Sequence, residues 1–128
     1  MKESILSALA ISNAEENGYL VTTGRKTGLP REIEIWYVSD GSRIYMVSDH
    51  LNKDWIKNIR ANPNVRFRIA DQWFEGQARL LEFGTEEDLA VRRIVSLKYH
   101  NKPFEELNET DKYPDWNRTG PIVGIDVG

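Results

Sequence analysis

The residues with the clearest chemical potential lie in one loop, Thr22–Arg31, which reads TTGRKTGLPR. The loop combines three cations, Arg25, Lys26 and Arg31, with hydroxyl groups and two glycines. Such a segment offers an anion both backbone N–H groups and charged donors. The Gly-x4-Gly-Lys-Ser/Thr spacing of a P-loop is absent, and no helix follows. The loop is therefore predicted either to bind a phosphate-like anion or to be a polar hairpin loop with solvated charges.

A second group of polar and basic residues lies in the segment Asn52–Asn62, where Trp55 and Ile59 occur at helical spacing. Asn52 or Asp49 is expected to cap this helix, and an Asn-Pro pair ends it. Its first turn could present free N–H groups to a phosphate. The alternative is an amphipathic helix that places Trp55 and Ile59 in the core, and the pattern favours this role for these two side chains.

Several classes of function are excluded or disfavoured by composition. The chain has no cysteine and two histidines, which excludes disulfides, a cysteine nucleophile and a multi-histidine metal site. No Gly-x-Ser-x-Gly elbow occurs, and a net charge of −3 argues against a general nucleic-acid binder. No segment approaches the roughly 20 apolar residues that span a bilayer. Met1–Asn17 lacks the apolar run of a secretion signal, so a cytoplasmic location is expected.

The elements that must position these residues are predicted to form one mainly β domain over residues 1–128. Alternating residues predict six strands, over Tyr19–Thr23, Ile33–Tyr37, Arg43–Ser48, Val65–Ile69, Trp73–Phe83 and Ile122–Val127. Helical spacing predicts three short helices, one within Met1–Asn17, one over Asn52–Asn62 and one over Thr85–Tyr99. Gly76 is a candidate bulge and Thr85 a candidate helix cap. Strands joined by tight turns are typical of an antiparallel barrel or a curled sheet.

A long polar loop is predicted from about Asn101 to Gly120, and it carries Phe104, Tyr113 and Trp116. Loops of this length in small domains are often functional. The sequence leaves two roles open for these aromatic residues, because they could cover a planar ligand or plug one end of the barrel.

The run from Leu20 to Arg31 resembles the signature loop of the deazaflavin-dependent nitroreductase and quinone reductase family. That family belongs to the pyridoxamine 5'-phosphate oxidase-like superfamily of split β-barrels. Further resemblance lies in Glu34–Tyr37, in the Asp-Gly turn followed by Ile44–Ser48, and in Asp54–Pro63. It covers about residues 19 to 70, and beyond them only the order of elements matches. The resemblance implies a six-stranded antiparallel split β-barrel that forms a homodimer, with a cofactor in the groove between protomers.

The same resemblance implies a set of cofactor-binding residues. These are Arg25, Lys26, Thr27, Arg31, Ser48, Trp55 and Asn58. The first three would contact the phosphate of the cofactor, and the fourth would support it. Ser48 would lie near the tricyclic ring, and the last two would shape the groove.

The function implied by the resemblance is hydride transfer between a reduced deazaflavin, coenzyme F-420, and a small planar acceptor such as a quinone or a nitroaromatic. One alternative is an FMN-dependent oxidoreductase that uses the same groove. Another is a non-enzymatic protein that binds a flavin- or tetrapyrrole-type ligand. In the enzymatic cases the cofactor carries the chemistry, so no side chain is predicted to act as a catalytic base.

Overall fold

The computed structural model describes residues 15–127, so the helix predicted within Met1–Asn17 lies outside the described residues. The strands are β1 Asn17–Thr23, β2 Pro30–Trp36, β3 Val38–Ser39, β4 Arg43–Val47, β5 Asn64–Ile69, β6 Gln72–Leu80 and β7 Ile122–Val127. The α-helices are α1 Asp54–Ala61, α2 Glu86–Val95 and α3 Pro114–Thr119. A π-helical turn, Ser96–His100, continues α2, and a 3-10 turn covers Phe104–Glu106.

The strands form one sheet in the order β2-β1-β5-β6-β7-β4-β3, and every pair is antiparallel. The two strands at its opposite ends, β2 and β3, are separated in the chain by Tyr37 alone. The sheet must therefore curl until its edges meet. No ladder joins β2 to β4 among the described strands, so the barrel is split there. The predicted mainly β, antiparallel split-barrel architecture is confirmed.

The strand count differs from the predicted six because the chain changes partners at Tyr37. The N–H of Tyr37 donates to the hydroxyl of Tyr99 at 2.9 Å, and its carbonyl accepts from Lys98 Nζ at 2.8 Å. A residue whose backbone groups bond to side chains cannot continue a ladder. The short strand β3 then pairs with β4, which gives seven strands.

The core fills the inside of the barrel, as the alternation in β5 predicts. Val65, Phe67 and Ile69 are buried there, and Trp55 and Ile59 of α1 pack on the same cluster. A second cluster lies outside the sheet, where α2 covers strands β3, β4 and β7. Each such apolar side chain contributes about 1.5–3 kcal/mol when fully buried. Helix α1 is thereby fixed against the barrel next to the loop between β1 and β2.

Helix α1 starts two residues later than predicted. It begins at Asp54, and Lys53 occupies the N-cap position without a side-chain hydrogen bond. The prediction that Asn52 or Asp49 caps the helix is wrong, because Lys53 occupies the N-cap position. Asn52 lies before the helix, where its N–H donates to His50 Nδ1 at 3.1 Å.

Gly76 forms no bulge, which corrects the sequence-based expectation. The pairing of β5 with β6 runs without interruption through Val65 and Gly76. A Cβ at Gly76 would lie 2.3 Å from the carbonyl oxygen of Asp126. The glycine therefore serves the close approach of β7 rather than an extra residue in the strand.

The cap of α2 is confirmed, and a buried ion pair ties that helix to α3. The Thr85 hydroxyl accepts from Asp88 N–H at 3.2 Å. Arg92 is 2% exposed and makes two hydrogen bonds to the Asp88 carboxylate, at 2.9 and 3.0 Å. It also donates to the carbonyls of Asn117 and Gly120, at 2.7 and 2.9 Å. The Arg92 side chain therefore links α2 to α3 and to Gly120, the residue that follows α3.

Candidate functional site

The loop between β1 and β2 is a closed turn rather than an open polar segment. Gly24 N–H donates to the carbonyl of Leu29, and Gly28 N–H donates to that of Gly24, both at 2.8 Å. Gly28 has a φ of 73°, which favours glycine. The Thr27 hydroxyl accepts from Leu29 N–H at 3.2 Å. The turn therefore presents its cations from a fixed backbone.

Arg25 fastens this turn to helix α1. Its N–H and its Nη1 donate to Asn58 Oδ1 at 3.2 and 2.9 Å, and its Nη2 donates to Asp54 Oδ1 at 3.2 Å. The buried Asn58 in turn donates to the Thr22 hydroxyl at 3.2 Å. Arg25 is thus a paired cation that positions the loop, and a phosphate would share it with Asp54.

Lys26 and Arg31 differ from Arg25, because neither side chain has a hydrogen bond or an ion pair with residues 15–127. Both line a groove of about 570 Å³, here called the cationic groove. Its lining residues are Thr22, Gly24, Arg25, Lys26, Thr27, Pro30, Arg31, Glu32, Ile33, Asp54, Trp55 and Asn58. An anion could therefore neutralise these two charges without breaking a contact to the described part of the chain.

A second cavity, of about 470 Å³, is here called the aromatic cavity. Its lining residues are Asn17, Glu34, Ile35, Trp36, Val47, Asp49, Tyr113 and Trp116. The indole N–H of Trp116 donates to the carbonyl of Val47 at 3.0 Å. Its ring stands edge-on to that of Trp36, with centroids 5.6 Å apart. Trp116 lies on helix α3, which forms within the segment predicted to be a loop from about Asn101 to Gly120.

The edge strand β2 contributes to both spaces. Its residues Pro30–Ile33 line the cationic groove, and the next three, Glu34–Trp36, line the aromatic cavity. Residues of α1 complete the lining of the groove, and Val47 at the end of β4 lines the cavity. The arrangement suits a ligand that carries an anionic group and a planar group on one short chain.

The structure brings six of the seven predicted residues into the cationic groove. They are Arg25, Lys26, Thr27, Arg31, Trp55 and Asn58. Ser48 lines neither space. Its buried hydroxyl donates to the carbonyl of His50 at 2.8 Å, although its neighbours Val47 and Asp49 line the aromatic cavity.

Sequence reasoning missed Trp36 as a site residue and left Tyr113 and Trp116 undecided. Trp36 is the last residue of β2, and the alternation of residues there predicts only a strand. No local spacing links positions 36 and 116, so the only available signal was the concentration of aromatic residues in the long loop. Phe104, the third aromatic residue noted there, does not line the aromatic cavity.

Residues 15–127 contain no group of three or more histidine, aspartate or glutamate side chains arranged to hold a metal ion. None of the helices in this range has both the length and the apolar character needed to cross a membrane.

The fold is similar to those of several solved structures. Their sequence identities to this chain are below 25%, so the similarity concerns the fold and not the function. An F420-H2 dependent reductase is 22% identical with a TM-score of 0.67, covering 87% of this chain and 94% of that one. A conserved hypothetical protein of Mycobacterium tuberculosis is 24% identical with a TM-score of 0.71, covering 99% and 81%. A domain-swapped dimer is 22% identical with a TM-score of 0.67, covering 87% and 80%.

The sequence itself matches a family model and curated relatives. An F420H(2)-dependent quinone reductase of Mycobacterium tuberculosis is 32% identical over 68 residues, which are 50% of this chain and 46% of that protein. The chain thus spans about half the length of the curated relatives it matches. The model of the F420H(2)-dependent quinone reductases matches residues 12–110. Because that match covers most of the chain, the protein belongs to the F420H(2)-dependent quinone reductase family.

Proposed function

We propose that the protein is a deazaflavin-dependent oxidoreductase, which transfers a hydride from reduced coenzyme F-420 to a small planar acceptor of the quinone or nitroaromatic type. The observation that carries the proposal is that consecutive stretches of β2 line a groove, with two cations that have no partner among residues 15–127, and a cavity walled by aromatic rings. Membership of the family supports the choice of cofactor.

The donors of the cationic groove fit the phosphate of such a cofactor. The groove holds three cations, Arg25, Lys26 and Arg31, and two carboxylates, Glu32 and Asp54, so its formal charge is +1. Charged donors form the stronger hydrogen bonds to phosphate oxygens. Lys26 and Arg31 would bind the phosphate, and Arg25 would hold the loop in place.

The aromatic cavity fits the planar part of the ligand. Aromatic rings favour stacked or edge-on contacts with centroids about 4.5–7 Å apart. Trp36 and Trp116 already stand edge-on in the wall, and Tyr113 lies at the rim with 58% of its surface exposed. When bound, the deazaflavin supplies the hydride. The side chains of this cavity would orient the ring and the acceptor and exclude water between them.

The experiment that tests this function is a titration with coenzyme F-420 and with FMN, followed by an anaerobic assay with menadione as the acceptor. We expect coenzyme F-420 to bind more tightly than FMN, and reduced coenzyme F-420 to be oxidised when both menadione and the protein are present. Preferential binding of FMN would support the FMN-dependent alternative. Binding without turnover would support a ligand-binding protein, and binding of neither cofactor would overturn the redox assignment.

We also propose a homodimer, as the resemblance implies. Trp73 is 46% exposed on the outer face of the sheet, with the guanidinium groups of Arg66 and Arg68 at 4.8 and 5.8 Å from its ring. An exposed indole of this size is typical of an interface. Light scattering at micromolar concentration is expected to give twice the mass of one chain for the unaltered protein. For the Trp73→Glu variant we expect the mass of a single chain. A monomer mass for the unaltered protein would rule the dimer out.

A further inference from the structure

Tyr99 lies behind Trp36, on the side away from the aromatic cavity. The two rings are stacked with centroids 4.4 Å apart and an angle of 2° between their planes. Trp36 lines the aromatic cavity, whereas Tyr99 does not. We propose that Tyr99 is a positioning residue that fixes the Trp36 indole in the cavity wall. This inference rests on the proposed function, because it concerns how the cavity receives a planar ring.

Trp36 needs such support because of its place in the sheet. It is the last residue of β2, an edge strand, and the chain leaves the ladder at the next residue. A side chain at a strand end on an open edge has few neighbours to select its rotamer. The stacked Tyr99 ring supplies a flat surface on one face of the indole, so only the other side remains available to a ligand.

Tyr99 is itself held by hydrogen bonds to the backbone of two residues. Its hydroxyl accepts from Tyr37 N–H at 2.9 Å. Its single proton is available to two carbonyl oxygens, that of Glu16 at 2.7 Å and that of Tyr37 at 2.8 Å. Burial raises the pKa of Tyr99, so the hydroxyl keeps its proton at neutral pH. The hydroxyl therefore links the Tyr99 ring to Tyr37, the residue that follows Trp36 in the chain.

The π-helical turn Ser96–His100 explains how the chain reaches this position. In this wider turn two consecutive residues, Lys98 and Tyr99, both contact Tyr37. Lys98 Nζ lies 3.7 Å from the centre of the Tyr37 ring, and burial lowers the pKa of Lys98 to about 8. Single π-helical turns are rare and occur frequently at functional sites.

Tyr99 also touches the other wall of the cavity. Its ring stands edge-on to Trp116, with centroids 6.1 Å apart and an angle of 83°. Trp36 and Trp116 are therefore both in contact with one ring behind the cavity. Removal of that ring is expected to free both indoles, whereas removal of the hydroxyl alone would leave the stack in place.

The test compares Tyr99→Leu, which removes the ring, with Tyr99→Phe, which keeps it. Leu97→Ala serves as the matched control, because Leu97 lies in the same turn and is 61% exposed. The ligand probe is a deazariboflavin without phosphate, which reports on the aromatic cavity and not on the cationic groove. We expect Tyr99→Leu to raise its Kd by about tenfold, and Tyr99→Phe and Leu97→Ala to change it by less than about threefold.

Near-ultraviolet circular dichroism of the free protein gives a second measurement that needs no ligand. We expect the signal of the coupled Trp36, Tyr99 and Trp116 rings to be lost in Tyr99→Leu and largely kept in Tyr99→Phe. An unchanged spectrum in Tyr99→Leu would overturn the positioning role, and so would an unchanged Kd or an equal loss in Leu97→Ala. If the unaltered protein binds no deazaflavin, the proposed function fails, and the spectrum alone then decides the role of Tyr99.

Discussion

Replacing Lys26 and Arg31 together by alanine is expected to weaken the binding of coenzyme F-420 by about a hundredfold or more. Each charge-assisted hydrogen bond to a phosphate contributes about 1.5–3 kcal/mol, and each 1.4 kcal/mol is a factor of ten in Kd. Neither side chain has a partner among residues 15–127. The free energy of unfolding of the unliganded variant should therefore change by no more than about 0.5 kcal/mol. Fluorescence titration and thermal melts of the same samples measure both effects.

The matched control is Lys57→Ala with Arg60→Ala, which removes the same charge from the exposed side of α1, outside the cationic groove. This variant is expected to bind coenzyme F-420 within about threefold of the unaltered protein, since exposed charges at a distance are screened by salt. Equal loss in both double variants would mean that net charge rather than the groove governs binding. An unchanged Kd in the Lys26 and Arg31 variant would remove the phosphate role from the loop.

Arg25→Ala is expected to behave differently from that variant. The Arg25 guanidinium already bonds to Asn58 and Asp54. Its loss should therefore lower stability as well as affinity, because the loop is no longer fastened to α1. The resemblance implies that Arg25 and Lys26 both contact the phosphate, and of these two only Arg25 is paired with residues of the described range.

Arg92→Met is expected to destabilise the protein by about 3–5 kcal/mol, because it leaves a buried carboxylate without its counter-ion. Arg92 and Asp88 have side chains that are 2% and 5% exposed. The carbonyls of Asn117 and Gly120 would also lose their donor. Since domains are stable by only about 5–15 kcal/mol, this is a large fraction of the total. Urea denaturation followed by far-ultraviolet circular dichroism measures the difference.

Two companion variants make this result specific. Arg93→Met removes a neighbouring arginine of the same helix. Its partner Glu105 lies 2.8 Å away and both side chains are more than half exposed, so this variant should lose far less stability than Arg92→Met. Asp88→Leu combined with Arg92→Met removes both buried charges and should recover much of the loss. If Arg92→Met unfolds at the same urea concentration as the unaltered protein, the buried pair does not hold α2 and α3 together.

Local patterns in the sequence were sufficient for most of the strands and for the cationic loop. The alternation in Val65–Ile69 identifies β5 because a buried face and an exposed face impose a period of two. Thr85 identifies the start of α2 because the cap satisfies N–H groups within one turn. The loop Thr22–Arg31 carries its cations and glycines in one short segment, so its chemistry is visible without any knowledge of the fold.

Short-range patterns were less reliable where an element ends or changes partner. Periodicity continued the second predicted strand to Tyr37, whereas the curl of the sheet requires the chain to leave one edge at that residue and join the other. The helix predicted over Thr85–Tyr99 ends as an α-helix at Val95 and continues as a π-helical turn. The two differences meet at Tyr37, whose N–H donates to the Tyr99 hydroxyl and whose carbonyl accepts from Lys98 Nζ.

The sequence by itself determined the mainly antiparallel β architecture and a cation-rich turn, because alternation and turn chemistry act between residues close in the chain. Tertiary structure decided which of the loop cations is paired, since Arg25 finds partners about 30 positions away on α1. It also decided the aromatic cavity, because Trp36, Tyr99 and Trp116 meet only when the sheet has curled and α2 and α3 have packed on it. Contacts between residues so far apart depend on the path of the whole chain, and no spacing in the sequence encodes them.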